Sequence, residues 1–123
     1  MADNELTALT ATEAAAEIAR GTVSAEDYAR ACLDRIAALD GEIKAFAHLD
    51  REHALAQARA LDERRTHGHS IGPLHGIPVA IKDIIDTADY PTELGSPPAA
   101  GLATTLPWSP SCAPPARSSS ASR

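Results

Sequence analysis

The sequence predicts an α/β or α+β fold, and three observations lead to it. Hydrophobic periodicity over residues 1–96 gives the order helix, helix, strand, helix, strand. A turn of Gly and Pro feeds a β-rich apolar run that ends on a lysine, Gly72-Pro73-Leu74-His75-Gly76-Ile77-Pro78-Val79-Ala80-Ile81-Lys82-Asp83. Residues 97–123 lose every period, so the chain divides into a partial domain, 1–96, and a tail, 97–123.

The elements run in order. Leu6, Leu9, Ala14, Ala15 and Ile18 recur at helical spacing, and Gly21 supplies a stop. Ser24 caps the next helix, with Asp27 in the first turn where a carboxylate suits the positive end of the dipole. Tyr28, Ala29, Cys32, Leu33, Ile36 and Leu39 form its stripe, and Asp40-Gly41 is expected to end it. Residues 43–49 alternate, with Ile43, Ala45, Ala47 and Leu49 on one side, which predicts a short strand. Residues 51–65 read as an alanine-rich helix with Leu55 and Leu61 inward and its charges on a solvated face. It gives way to a loop over residues 66–73. Residues 77–81 read as a buried strand, with Pro78 at an edge or in the first turn.

Composition narrows the function. Hydrophobic residues make up 44% of the 123, but aromatics only 3%, so the core is thin. A net charge of -6 speaks against a nucleic-acid surface. No run of about 18 apolar residues exists to span a membrane. The acidic start, Met1 to Glu5, lacks an apolar signal segment, which points to a cytoplasmic protein. Cys32 and Cys112 fit neither a metal nor a redox spacing and read as reduced thiols.

Lys82 is the candidate for chemistry. The chain has two lysines, Lys44 and Lys82, and Lys can be made neutral near pH 7 whereas Arg cannot. At the end of a buried strand its ammonium form would be disfavoured, and a neutral amine could take a proton from a hydroxyl. The plainer reading of the spacing is a lysine paired with Asp83 or Asp86, or reaching solvent. His67, His69 and His75 match no zinc pattern and read as loop residues. Residues 72–76 lack the Gly-rich fingerprint and the Lys-Ser/Thr ending of a phosphate loop. Asp83, Asp86 and Asp89 read as turn and capping residues, so no metal and no cofactor is expected.

The block Gly72 to Thr87, with Tyr90-Pro91-Thr92-Glu93 and Gly95-Ser96, closely resembles the opening of the amidase signature family. The resemblance covers residues 1–96 and implies an α/β architecture, the helices and first strands of a mixed sheet. It also implies hydrolysis of carboxamide C–N bonds by a Ser–cis-Ser–Lys triad. Lys82 is then the proton-transfer lysine, and a small-molecule amide is the substrate of the full-length relative. In the family both serines lie further downstream, in a Gly/Ser-rich signature. Neither can be placed here: Ser96 sits too early, and Ser118-Ser119-Ser120 lacks glycine surroundings. The chain by itself is expected to be inactive. Two other readings stand beside it: the amidase component of a tRNA-dependent amidotransferase, and a non-catalytic module whose Pro/Ser tail recruits a partner. The oligomeric state stays open.

The tail departs from the family abruptly. Six of the nine prolines and six serines fall in residues 97–123, with no acidic residue after Glu93, a disordered composition taken alone. Codon degeneracy offers another account. In the frame formed by the third base of one codon and the first two of the next, Thr104-Thr105 allow Asp-Asp and Trp108 gives Met, Val or Leu. With TC-type serine codons, Ser109, Ser111 and Cys112 force apolar residues. The shifted string allowed by Thr104 to Ser122 is DDAAMVAVLRAAGAIVLGK: an amphipathic helix, a Gly turn and a buried strand. It resembles the stretch downstream of this block in the amidase family. First bases are chosen in the shifted frame, whereas most second and third bases are fixed by the printed residues. The expectation is a frame change near Pro97 to Ala99, which resequencing of the locus tests.

Overall fold

The computed structural model describes residues 3–95, with side-chain burial from residue 5. The expected tail, Ser96, Cys112 and the serine run at 118–120 lie outside the described residues. The chain divides into two units, residues 1–80 and residues 81–123, the second described over 81–95.

The first unit is helical. α1 spans Asp3–Leu6, α2 Ala11–Arg20, α3 Ala25–Ile43 and α4 Arg51–Thr66. The single helix expected from Leu6 to Ile18 is interrupted over residues 7–10, because Thr10 starts a new one. Thr10 Oγ1 accepts the N–H of Glu13 at 3.3 Å, while Glu13 Oε2 accepts the N–H of Thr10 at 2.8 Å. This reciprocal box satisfies donors that a helix start leaves open. Gly21 ends α2 as expected, at φ 77°, and the N–H of Thr22 reaches back to the Glu17 carbonyl.

α3 begins at Ser24 as its sequence implies, but its cap has a second part. Ser24 Oγ accepts the N–H of Asp27 at 2.9 Å. The N–H groups of Ala25 and Glu26 donate to Asp62 Oδ1 and Oδ2 of α4, at 2.8 and 3.0 Å. The first three open donors of α3 are thus all satisfied, and Asp62 is not the solvated helix-face residue expected. α3 runs past Gly41, where a stop was expected, to Ile43. A single glycine inside a helix costs only about 1 kcal/mol. The termination comes from Asp40 instead, whose carbonyl accepts the N–H of Lys44 and whose Oδ1 accepts that of Ala45, both at 2.7 Å. Lys44 takes the left-handed conformation at φ 54°.

Neither expected strand forms among the described residues. Ile43 is the last residue of α3, and residues 44–50 are irregular. Residues 77–82 carry no regular structure, and Val79 and Ile81 are 69% and 56% exposed. A strand needs a neighbouring ladder to satisfy its backbone, and no such ladder exists among these residues. Among the described residues the first unit is helical, and the sheet of the expected α/β architecture is not seen there.

The core gathers Leu6, Ile18, Val23, Tyr28, Leu33 and Leu55 with five alanines, 14, 25, 29, 31 and 58. Small side chains let α3 and α4 approach closely. Ion pairs tie their surfaces, Arg51 to Asp34 at 2.7 Å and Arg59 to Glu26 at 3.0 Å. These are exposed and contribute little. No helix among the described residues is long and apolar enough to cross a membrane.

Candidate functional site

The Gly/Pro turn before Lys82 is docked on the first unit's core by two features. Gly76 adopts φ 78°, and a Cβ built there would lie 2.8 Å from Ala25 Cβ and 3.1 Å from Ile18 Cγ2. His75, expected to be an incidental loop residue, donates through Nε2–H to the Leu61 carbonyl at 3.0 Å. Ile77 packs partly buried against the same core. His67 Nδ1 lies 2.7 Å from the Glu63 carbonyl, closing the end of α4. No group of three or more metal-ligating side chains occurs among the described residues.

Lys82 lies in the second unit, at the start of a turn in which the N–H of Ile85 donates to its carbonyl at 3.0 Å. Its side chain is exposed, not buried at a strand end as expected. Asp83 turns to its own loop. Its Oδ1 accepts the N–H of Glu93 at 2.8 Å and its Oδ2 that of Gly95 at 3.3 Å. Within this clasp the N–H of Tyr90 donates to Thr87 Oγ1 at 3.3 Å. Asp83 is thus a capping residue, as its sequence context implies. Leu94 and Gly95 both take positive φ, 55° and 73°, to bring the backbone donors round to it.

A separate apolar groove of about 320 Å³ lies on the first unit, with Cys32, Ile36, Leu39, Ile43 and Phe46 among its walls. Burial pushes the Cys32 thiol up, against a smaller opposing effect of its hydrogen bond with Tyr28, so it is a poor nucleophile.

The family model described as Amidase matches residues 27–105, which include the whole Gly72 to Thr87 block. The chain belongs to the amidase family. Two relatives, both named as glutamyl-tRNA(Gln) amidotransferase subunits, set this amidase segment in proportion. The Streptomyces coelicolor protein is 50% identical over 93 residues, 76% of this chain and 19% of its own length. The Chloroflexus aurantiacus protein is 53% identical over 98 residues, 80% of this chain and 20% of its own length. The chain therefore spans about a fifth of the length of the curated relatives it matches. No solved structure gives a significant match.

Sequence reasoning singled out Lys82 and the turn before it, but missed the tasks of Asp62, His75 and Gly76. A Gly directly after a His in a turn that precedes an apolar run is the one local signal for the docking. Nothing local marks Asp62, because its partners lie 36 and 37 residues away.

Proposed function

We propose that this chain is the N-terminal part of an amidase-type hydrolase of carboxamide C–N bonds, with Lys82 as its proton-transfer lysine, and that the chain alone has no turnover. The observation that carries this reading is the family match over residues 27–105, which takes in Lys82 and the block around it. In the assembled site the neutral Lys82 amine accepts a proton from a bridging serine, which accepts one from the nucleophilic serine as that oxygen attacks the amide carbonyl. The proton then passes back to the leaving nitrogen. Both serines come from protein outside the described residues, and so does the burial that would hold Lys82 neutral. No cofactor or metal takes part in this reading.

The tail supports a break in the reading frame near residues 97–99, since its shifted frame allows a helix and strand of the kind this block precedes. The experiment compares two products. The purified 123-residue chain should release no ammonia from a panel of primary carboxamides. The product of the frame-corrected locus should release it, and Lys82→Ala should reduce the rate by about 10³-fold or more, the scale of losing a proton-transfer group. Turnover by the 123-residue chain that is lost on Lys82→Ala would overturn the reading, and an uninterrupted frame at the locus with no long downstream amidase frame would overturn the frame break.

A second reading has a specific observation behind it: both of these relatives are named as amidotransferase subunits. The chain would then derive from one component of a larger assembly. A frame-corrected product that hydrolyses simple amides unaided favours the free amidase, whereas one active only with added subunits favours the amidotransferase.

A further inference from the structure

Asp83 follows Lys82 directly, and both of its carboxylate oxygens are engaged. Oδ1 accepts the N–H of Glu93 at 2.8 Å and Oδ2 that of Gly95 at 3.3 Å. Of residues 78–86, Asp83 is the one that is not exposed. The backbone opposite bends to meet it, with Leu94 and Gly95 at φ 55° and 73°. Glycine adopts that region freely, whereas a leucine is strained there by its Cβ. Such strain persists only where the surroundings enforce it, and it gathers at working sites. Turning in this way aims neighbouring N–H groups at one spot, a concavity that suits an anion. The anion here is a side chain from the other end of the same loop. A charged acceptor makes these bonds stronger than neutral ones. The clasp thus closes residues 83–95 into a loop whose ends meet next to Lys82 in the chain. The peptide after Lys82 is tied down as well, since its carbonyl accepts the N–H of Ile85 at 3.0 Å.

We propose that Asp83 is a positioning residue for Lys82, acting through the backbone to fix where the lysine side chain leaves the chain. The inference rests on the reading of Lys82 as the proton-transfer lysine. A lysine side chain loses much rotamer freedom when it is held in one place, so a fixed point of attachment matters. Proton transfer needs the amine within about 2.6–3.2 Å of its serine oxygen. An error of about 1 Å in that placement can cost about 10²-fold in rate. In this role Asp83 exchanges no proton and touches no substrate; it holds the peptide on which Lys82 is mounted.

The test is a double-mutant cycle in the frame-corrected product, read as ammonia released from a primary carboxamide. Asp83→Ala should lower kcat by about 10²-fold and change KM less than about threefold, with the helical circular dichroism signal unchanged. Asp83→Asn keeps one acceptor oxygen and should fall between the parent and Asp83→Ala. In a Lys82→Ala background, Asp83→Ala should cost less than about threefold more, because the group it positions is gone. An aspartate that merely stabilised the fold would cost the same factor with or without Lys82, and that result would overturn the proposal. An Asp83→Ala variant as active as the parent would also overturn it, while leaving the role of Lys82 standing. The clasp itself is read in the 123-residue chain by amide hydrogen exchange, where Glu93 and Gly95 should exchange about tenfold faster or more after Asp83→Ala. Equal exchange in the two chains would overturn the proposal whatever the kinetics. Full turnover after Lys82→Ala would overturn the reading of Lys82 and the positioning role with it, and the exchange result would then mark the clasp as structural alone.

Discussion

Gly76 lies against Ala25 so closely that a Cβ at position 76 would stand 2.8 Å from the Cβ of Ala25. Backbone of one segment therefore touches the first residue of α3 with no room for a methyl group. The Gly/Pro turn is placed by the helical core and, in turn, covers it.

Gly76→Ala should destabilise the first unit by about 2–5 kcal/mol. The left-handed backbone costs an L-residue roughly 1–2 kcal/mol, and an extra methyl in a packed site about 1–3 kcal/mol. Urea unfolding followed by helical circular dichroism measures it. A loss under about 1 kcal/mol would mean that the turn does not rest on Ala25 and Ile18.

Asp62 joins α4 to the start of α3 through two backbone donors. Asp62→Ala leaves the N–H groups of Ala25 and Glu26 without their acceptors and should cost about 1–3 kcal/mol. Asp62→Asn keeps one acceptor oxygen and should recover part of that loss. Equal midpoints for the two variants in urea would contradict the bidentate cap.

Glu13 gives a pH signature. The hydrogen bonds from the Thr10 backbone and hydroxyl hold its carboxyl below the ordinary value. A folded-state value below the unfolded one means that stability is fully present above the unfolded carboxyl range. It is lost as pH falls through the lower, folded value. Glu13→Gln should therefore flatten the acid limb of the thermal midpoint against pH and leave its slope near neutrality unchanged. An identical acid limb in the variant would rule out the box as its source.

Cys32 should alkylate slowly. Burial raises its thiol, so little thiolate exists at neutral pH. Iodoacetamide labelling at a pH of about 7.5, read by peptide mapping to separate Cys32 from Cys112, should be slow in the folded chain and rise on adding urea. Equal rates in both conditions would show that Cys32 is not held in the core.

Much of the helical layout was legible from local chemistry. Ser24 and Gly21 mark helix ends through neighbours within a few residues, although Asp62 completes the start of α3, and the Tyr28 to Leu39 stripe marks a helix by its period. Asp40-Gly41 misled, because the stop comes from Asp40 acting four and five residues on, through its carbonyl and its side chain. The alternation over residues 43–49 misled for a different reason. Period two is necessary for a strand but does not create the neighbour that a strand must pair with.

By itself the sequence determined the family, through the register of Gly72 to Thr87, together with the start of α3 at Ser24 and the candidate lysine. Only the tertiary structure decided where the turn rests, that Asp62 closes α3, and that Lys82 stands exposed beside a loop clasped by Asp83. The physical reason is range. Periods, motifs and most caps are written within a few residues, whereas burial, close approach and strand pairing depend on groups far along the chain.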